Sequence, residues 1–428
     1  MQTRPPIPNP EDYGIDLRTG FVPSQSVELP AYYAPWRDLC SKMPELLQKQ
    51  TARSAIDALD ILDTKHLATL AHWQRAYILL GYLSQAYIWQ DRSIPSSTVP
   101  ASVADPFLKA CDHLGMQPVL SYAGSSLWNW EPNGRHHDEN HHTSGTAASS
   151  CPDLADFSTI KCYTTFTGTR DEDSFNLVPS MVEAESGRLI PLLLNALDLV
   201  HQHQVQQKQQ QPGVFLHLLP VLEECTRTLT KMHEILSVLF DNCDPSVFHQ
   251  DIRPMLAGSA AAEDKGLPAG VTFQCSDGSR VVAKCVGASA GQSAFFQFLD
   301  HMFGVQHESK FLVSMRAYMP RQHREFLGAV EKLPSLRDII DARSPTPTTT
   351  TTTDRDQTLV TAFHAVLEAF RLFRTRHIAI VSRYIVQPVA AEARRLRAEG
   401  KPTTEARGTA GSKPVPFLKQ YRDETVLR

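Results

Sequence analysis

An all-α fold is predicted by two features of the sequence: long segments with apolar residues at helical spacing, and very few strand signals. One such segment is Leu359–Tyr384, whose apolar side chains recur three or four positions apart and so share one face of a helix. One strand pair is expected, Val271–Gln274 with Val281–Lys284, because an Asp-Gly turn lies between them. Helical periodicity also predicts helices over Tyr33–Leu47, Thr64–Gln90, Val103–Leu114, Leu177–His203, Pro220–Asn242, Ser289–Phe303, Phe311–Met319 and Pro416–Arg422.

Polar segments separate the predicted helices. Residues 131–157 are dominated by Gly, Asn, Asp, Ser and Pro, which predicts a loop that ends a small N-terminal α domain, residues 1–157. A larger helical domain is expected over residues 158–428. Three further segments are rich in a few residue types and are expected to lie outside the core: the insertions near 201–212 and 344–356, and a mobile loop near 398–416.

Composition and charge exclude several classes of function. The chain has 428 residues, of which 42% are hydrophobic and 21% charged, as is typical of a soluble globular protein. A formal net charge of −4 gives no reason to expect nucleic acid or an anionic membrane as a partner. The sequence has no apolar run of about 18 residues, which predicts no membrane span. The N-terminus is polar, and the eight scattered cysteines form no CxxC pair, so we expect a cytoplasmic protein with reduced thiols.

The apolar face of Leu359–Tyr384 contains one histidine, His377, between Phe373 and Val381. An imidazole that points into an apolar interior needs a partner, because burying an unpaired polar group is costly. That partner is either a hydrogen bond within the core or a metal. A single axial histidine facing a hydrophobic slot is how many proteins hold haem iron.

Other candidate sites each have a structural alternative. The cluster His136, His137, Asp138, Glu139, His141 and His142 resembles a metal patch, but its flexible Gly- and Ser-rich setting favours a solvated insertion. The small residues Gly287–Ser293 would let backbone N–H groups approach an anion or a flat ligand, or would simply form a tight packing turn. Arg253 could clamp a carboxylate or form a surface ion pair. Tyr122, Trp128 and Trp130 are either core residues or the wall of a flat apolar ligand.

Taken together, these segments resemble the indoleamine 2,3-dioxygenase family, and in particular a fungal member of it. The motifs MPxxHRxFL and HxxIVxxYI are specific in combination, and the resemblance covers nearly the whole chain outside the low-complexity insertions. The matching segments occur in order along the chain: Tyr13–Pro23, Val119–Trp130, Phe175–Glu185, Asp244–Gly258, Gly287–Asp300, Tyr318–Leu327, Arg374–Ile385 and Gly408–Ser412.

The resemblance implies a small helical N-terminal domain and a larger helical domain that binds haem b. It implies that His377 is the proximal ligand of the iron, and that Arg374 and Asp300 support this helix and the haem propionates. It also implies a set of substrate-binding residues: Tyr122, Ser125, Ser126, Phe175, Phe248, Arg253, Leu256, Ala288, Ser289, Ala290 and, in the mobile loop, Thr409.

The implied activity is insertion of both atoms of O₂ across the indole C2–C3 bond of L-tryptophan, giving N-formylkynurenine, the first step towards kynurenine and NAD. No side chain is expected to act as a catalytic acid or base, and a monomer is expected. Pro179 replaces a distal Ser of animal members, and Ala288 and Ala410 replace glycines, which leaves a low-activity or non-catalytic haem and O₂-binding paralogue as the alternative. A haem-free helical scaffold is disfavoured by His377.

Overall fold

The computed structural model describes residues 5–134, 152–206, 213–341, 354–401 and 414–426. The prediction of an all-α fold is confirmed, because the protein is 64% helical and its strands are short. The helices of the N-terminal part are α1 Ala34–Ser41, α2 Met43–Gln48, α3 Ala52–Asp57, α4 Leu70–Trp89 and α5 Ala101–Leu114. Those that follow are α6 Arg170–Ser186, α7 Leu189–Gln206, α8 Gly213–Asn242, α9 Pro245–Val247, α10 Ala294–Met302, α11 Phe311–Met315, α12 Arg321–Val330, α13 Leu336–Asp341, α14 Asp354–Val381, α15 Gln387–Ala398 and α16 Pro414–Glu424.

Five short strands were only partly predicted. They are β1 Thr98–Val99, β2 Trp130–Pro132, β3 Ile160–Cys162, β4 Val271–Gln274 and β5 Arg280–Ala283. The expected hairpin is confirmed as antiparallel β4 and β5, which β1 extends as a parallel neighbour of β4. The pair formed by β2 and β3 was missed, because strands of two or three residues are too short to show an alternating pattern.

Glycine and capping residues move several helix boundaries from their predicted positions. The segment predicted as one helix over Leu177–His203 is two helices, since α6 ends at Ser186 and α7 begins at Leu189. Gly187 lies between them, where a Cβ atom would lie 2.2 Å from the backbone of Thr19. Helix α6 begins at Arg170, because the side chain of Thr169 accepts a hydrogen bond from the Glu172 N–H. In the same way Ser293 caps α10, which therefore begins five residues later than predicted.

Helix α4 lies in the centre of the core. Its buried residues surround the helix instead of forming one stripe, as expected for a helix with no solvent-facing side. Helix α8 packs against both α6 and α14. The α4 side chains also hold a later segment in place, because Gln85 donates hydrogen bonds to the carbonyls of Met255 (2.8 Å) and Ala257 (3.0 Å).

Buried residues from both sides of position 157 form one contiguous core, and the proposed division at this position stays a prediction. Residues 207–212 and 342–353, which include most of the two low-complexity insertions, lie outside the described residues. The same holds for 402–413, within the predicted mobile loop. Among the helices that the structure describes, none is long and apolar enough to cross a membrane.

Candidate functional site

His377 lies in α14 with its imidazole enclosed by the protein. Burial lowers the pKa of His377 to about 4, and the positive charge of Arg374 acts in the same direction. The ring is therefore neutral at physiological pH, which is the form that binds a metal ion. Part of the residue still remains accessible, and within the described part of the chain its ring nitrogens make no hydrogen bond. An imidazole that makes no hydrogen bond among the described residues favours the metal-ligand interpretation over the hydrogen-bonded core histidine.

Arg374 and Asp300, which lie far apart in the sequence, form an ion pair one helical turn before His377. The guanidinium of Arg374 also lies over the ring of Phe370, at 4.2 Å from its centroid. Both charged side chains are mostly buried, with 12% and 7% of their surfaces exposed. This contact fixes the orientation of the α14 turn that precedes His377, as partners of a metal-binding helix do.

The predicted substrate residues Tyr122, Ser125 and Ser126 lie together in one buried wall. Tyr122 precedes a π-helical turn, Ala123–Leu127, that packs against α6, and all three predicted residues are buried. The backbone N–H of Tyr122 donates to the side chain of Gln292 (2.8 Å), which joins this wall to the segment before α10. Such π-helical turns occur frequently at functional sites.

Glu183 anchors the same wall and was not identified from the sequence. One of its carboxyl oxygens accepts hydrogen bonds from the hydroxyls of Tyr122 (2.8 Å) and Ser293 (2.7 Å). The other oxygen is buried and has no partner among the described residues. Burial raises the pKa of Glu183 to about 7, while the two hydroxyls act in the opposite direction. In the sequence, Glu183 lies between the apolar residues Val182 and Ala184, and this position could have indicated a buried carboxyl group that needs hydrogen-bond partners.

We expect Glu183→Gln to weaken the dependence of stability on pH. Between about pH 5 and 8 the folded parent loses a proton that it holds more tightly than the unfolded chain does, so its free energy of unfolding falls. Gln has no such proton, and the fall should be smaller by up to about 3 kcal/mol in the variant. Urea unfolding of both proteins at pH 5 and 8 measures this difference. Equal pH dependence in the two proteins would refute it, although Glu172, also buried with a pKa near 7, still titrates in both.

Three aromatic rings connect the predicted substrate residues to the histidine helix. Phe175 in α6 packs on Phe248 with ring centroids 4.3 Å apart, and Phe248 contacts Tyr384 edge-on at 5.8 Å. Phe248 begins a second π-helical turn, Phe248–Ile252, while Tyr384 lies in a third that follows α14. The Tyr384 hydroxyl donates to the carbonyl of Leu239 (2.8 Å), so its ring is held in place. From the sequence, Tyr384 was predicted only to belong to the apolar face of Leu359–Tyr384.

Arg253 and Leu256 share a short 3-10 turn directly after Ile252. Leu256 is buried, whereas Arg253 is half-buried and lines a pocket that opens to solvent beside His249 and Gln387. Burial lowers the pKa of Arg253, but a guanidinium remains a cation at physiological pH. Its charge thus lies at the lining of a pocket that a solute can enter from solvent.

Ala288, Ser289 and Ala290 lie beside this turn because two glycines let the backbones touch. A Cβ atom on Gly287 would lie 2.1 Å from the Leu256 carbonyl oxygen, and one on Gly258 would lie 2.2 Å from that of Cys285. The packing-turn interpretation of Gly287–Ser293 is therefore correct at Gly287. It does not exclude the ligand-binding interpretation, because the same contact places the small residues next to Leu256.

Some predicted residues cannot be placed. Thr409, Ala410 and the histidine-rich cluster at 136–142 lie outside the described residues. Within the described ranges, no group of three or more His, Cys, Asp or Glu side chains could hold a metal ion. A metal bound at His377 would thus need most of its ligands from a cofactor, as haem iron has.

The comparison with known families decides which cofactor this is. A family model described as Indoleamine 2,3-dioxygenase matches residues 9–427. The chain belongs to the indoleamine 2,3-dioxygenase family. It is 33% identical to a 6-hydroxytryptophan 2,3-dioxygenase of Fusarium equiseti, over 98% of this chain and 97% of the relative. Identity is 32% with an indoleamine 2,3-dioxygenase of Aspergillus candidus, over 97% and 96% of the two chains. With that of Saccharomyces cerevisiae it is 30%, over 98% and 94%.

Membership of the indoleamine 2,3-dioxygenase family makes this chain an oxidoreductase that uses haem iron and O₂ on an indole substrate. The geometry around His377 fits a haem ligand, since the ring is neutral, enclosed and without a hydrogen bond among the described residues. One departure from the animal members is now located. Pro179 lies inside α6, and the hydroxyl of the next residue, Ser180, donates to the Ser126 carbonyl (2.8 Å).

Proposed function

We propose that the protein cleaves the indole C2–C3 bond of L-tryptophan to give N-formylkynurenine, with both atoms of O₂ entering the product. Two observations support this proposal: His377 in α14 is neutral and makes no hydrogen bond among the described residues, and the cation of Arg253 lines a pocket that opens to solvent. An oxygen carrier has no need of a cation for a substrate carboxylate, whereas an amino-acid dioxygenase does. The reaction would begin the conversion of tryptophan towards kynurenine and NAD.

Haem b, held through His377 and supported by Arg374 and Asp300, supplies the activation of O₂ when it is bound. The chain's own residues bind and orient the amino acid. Arg253 binds its carboxylate, while Phe175 and Phe248 pack against the indole ring.

The remaining residues shape the slot around the indole. Leu256 and the segment Ala288–Ala290 leave room for a flat ring, because their side chains are apolar or small. Tyr122, Ser125 and Ser126 close the wall that Glu183 anchors. Since positioning by these groups is the protein's main contribution, no side-chain acid or base is required.

A direct assay tests this function. The purified protein is reconstituted with haem, reduced with ascorbate and a mediator, and given L-tryptophan while the absorbance of N-formylkynurenine is followed. We expect product in equal amounts to the tryptophan and O₂ consumed. A haem absorption band without product would instead identify the non-catalytic paralogue. That alternative arises from Pro179 in α6, which replaces a serine of animal members. Absence of the band would refute haem binding altogether.

A ring-hydroxylated tryptophan is a second candidate substrate. The relative from Fusarium equiseti is named for 6-hydroxytryptophan, and the buried hydroxyls of Ser125 and Ser126 make no hydrogen bond within the described ranges. A site with unpaired polar groups discriminates strongly against a substrate that lacks the matching hydroxyl. Measuring kcat/KM for both compounds decides between them: a preference above about tenfold for 6-hydroxytryptophan would make it the substrate.

We also propose that the protein acts as a monomer in the cytoplasm. Seven cysteines in the described residues are free thiols, and reduced thiols are typical of that compartment. Gel filtration of the purified protein and localisation of a tagged chain test the two statements.

A further inference from the structure

A cluster of four charged side chains lies next to the helix that carries His377. We call Asp300, His307, Arg374 and Glu424 the proximal charge cluster. His307 bridges two carboxylates, with its Nε2 atom 2.9 Å from Asp300 and its Nδ1 atom 2.6 Å from Glu424. Asp300 uses its other oxygen to pair with Arg374. The exposed fraction of each of these four side chains is between 7% and 12%.

The arrangement of acceptors around His307 favours a ring that carries a proton on both nitrogens. Each nitrogen faces a carboxylate oxygen, which only accepts hydrogen bonds, and only the imidazolium donates from both positions. A cation here also compensates two buried anions that would otherwise be costly. The ring of Tyr421 stacks on His307 at 4.1 Å, a further contact that favours the charged form. With Arg374, the cluster holds two positive and two negative charges.

Other polar groups around the cluster complete its hydrogen bonds without changing this balance. Glu424 accepts from the Gln420 side chain (2.9 Å) and from the backbone N–H of Glu308 (3.4 Å). The neighbouring charges of Arg422 and Asp423 pair with each other nearer the surface.

The cluster joins the C-terminal helix to the histidine helix. Arg374 donates to the carbonyl of Tyr421 (3.0 Å) and to the hydroxyl of Thr425 (2.6 Å), at the end of α16. Arg374 also precedes His377 by three positions, so the two side chains lie on neighbouring turns of α14. A change in the charge of α16 is thus transmitted through two contacts to the turn beside His377.

We propose that His307 and Glu424 are positioning residues, which hold Asp300 against Arg374 of the haem-binding helix and set the electrostatic potential at the iron. Buried charges and partners of a metal ligand are established determinants of a metal's redox behaviour. This inference rests on the proposed function, because it takes His377 to be the iron ligand.

The test is the reduction potential of the haem-loaded protein, measured by spectroelectrochemistry in four forms. His307→Gln leaves the cluster with one excess negative charge, which stabilises the ferric state and shifts the potential down. Glu424→Gln leaves one excess positive charge and shifts it up. The double variant restores charge balance and should return close to the parent. A purely structural role predicts no such opposite shifts.

Haem retention gives a second readout. Transfer of haem to an excess of apomyoglobin should be on the order of tenfold faster in each single variant, since partners of a metal site typically contribute 10- to 100-fold to its retention. If His307→Gln loses haem entirely, recovery of binding in the double variant supports the charge bridge, and failure to recover overturns it. His364→Gln is the matched control, because His364 is an exposed histidine of α14. Haem transfer from this variant should be as slow as from the parent.

Potentials that are unchanged, or that shift in the same direction in both single variants, would overturn the proposal. A parent protein without a haem absorption band would instead contradict the proposed function, so the two failures are distinguishable.

Discussion

Replacing His377 by Ala is expected to abolish haem retention and, with it, dioxygenase activity. The ring is the single predicted iron ligand of the chain, and its pKa near 4 keeps it neutral and available for coordination. Loss of the ligand should weaken haem binding by more than about 100-fold, beyond the effect of removing a supporting partner such as Asp300. The haem content per chain and the haem absorption band of the purified variant measure this directly.

His364→Ala provides the matched control for this experiment. His364 is exposed on the same helix, so its replacement should leave haem content and activity at the parent level. A His377→Ala protein that keeps full haem occupancy and turnover would show that another residue holds the iron. Circular dichroism of both variants separates loss of the ligand from loss of the fold.

Replacing Arg253 by Gln should raise KM for tryptophan by about 10- to 100-fold while haem binding stays intact. A hydrogen-bonded charge pair contributes about 1.5–3 kcal/mol, and each 1.4 kcal/mol corresponds to a factor of ten. Arg253→Lys keeps the charge but loses the planar two-point contact, so its KM should fall between those of the parent and the Gln variant. Steady-state kinetics with the haem content measured in parallel test both expectations.

The control for Arg253 is Arg227→Gln, which removes a surface cation paired with Glu224 away from the site. Its KM should equal that of the parent. An unchanged KM in Arg253→Gln would exclude the carboxylate clamp, whereas loss of haem in that variant would assign Arg253 a structural role instead. A decarboxylated analogue such as tryptamine gives an independent check, because its KM should be insensitive to Arg253.

Much of the fold could be predicted from local pattern. Apolar periodicity found the long helices, and an Asp-Gly turn between two β-rich segments found the β4–β5 hairpin. Boundaries were less accurate where a distant contact decides them. Helix α6 ends at Ser186, and at the next residue, Gly187, the backbone of Thr19 passes too close for a Cβ atom; the residues around 187 do not show that Thr19 lies there.

The candidate site divides in the same way. The position of His377 on an apolar face and the motif around it were sufficient to nominate an iron ligand. The roles of Glu183 and His307 were invisible in the sequence, because each depends on partners far away along the chain. Glu183 becomes significant only when Tyr122 and Ser293 meet its carboxyl group, and His307 only when Asp300 and Glu424 flank its ring.

By itself, the sequence determined the helical class, the family and the identity of the proposed ligand and clamp, since periodicity and motif spacing are local properties of the chain. Only the tertiary structure decided which charges are paired and which carboxyl group has its pKa raised by burial. Those properties depend on burial and on hydrogen-bond geometry between distant segments, which exist only after the chain has folded.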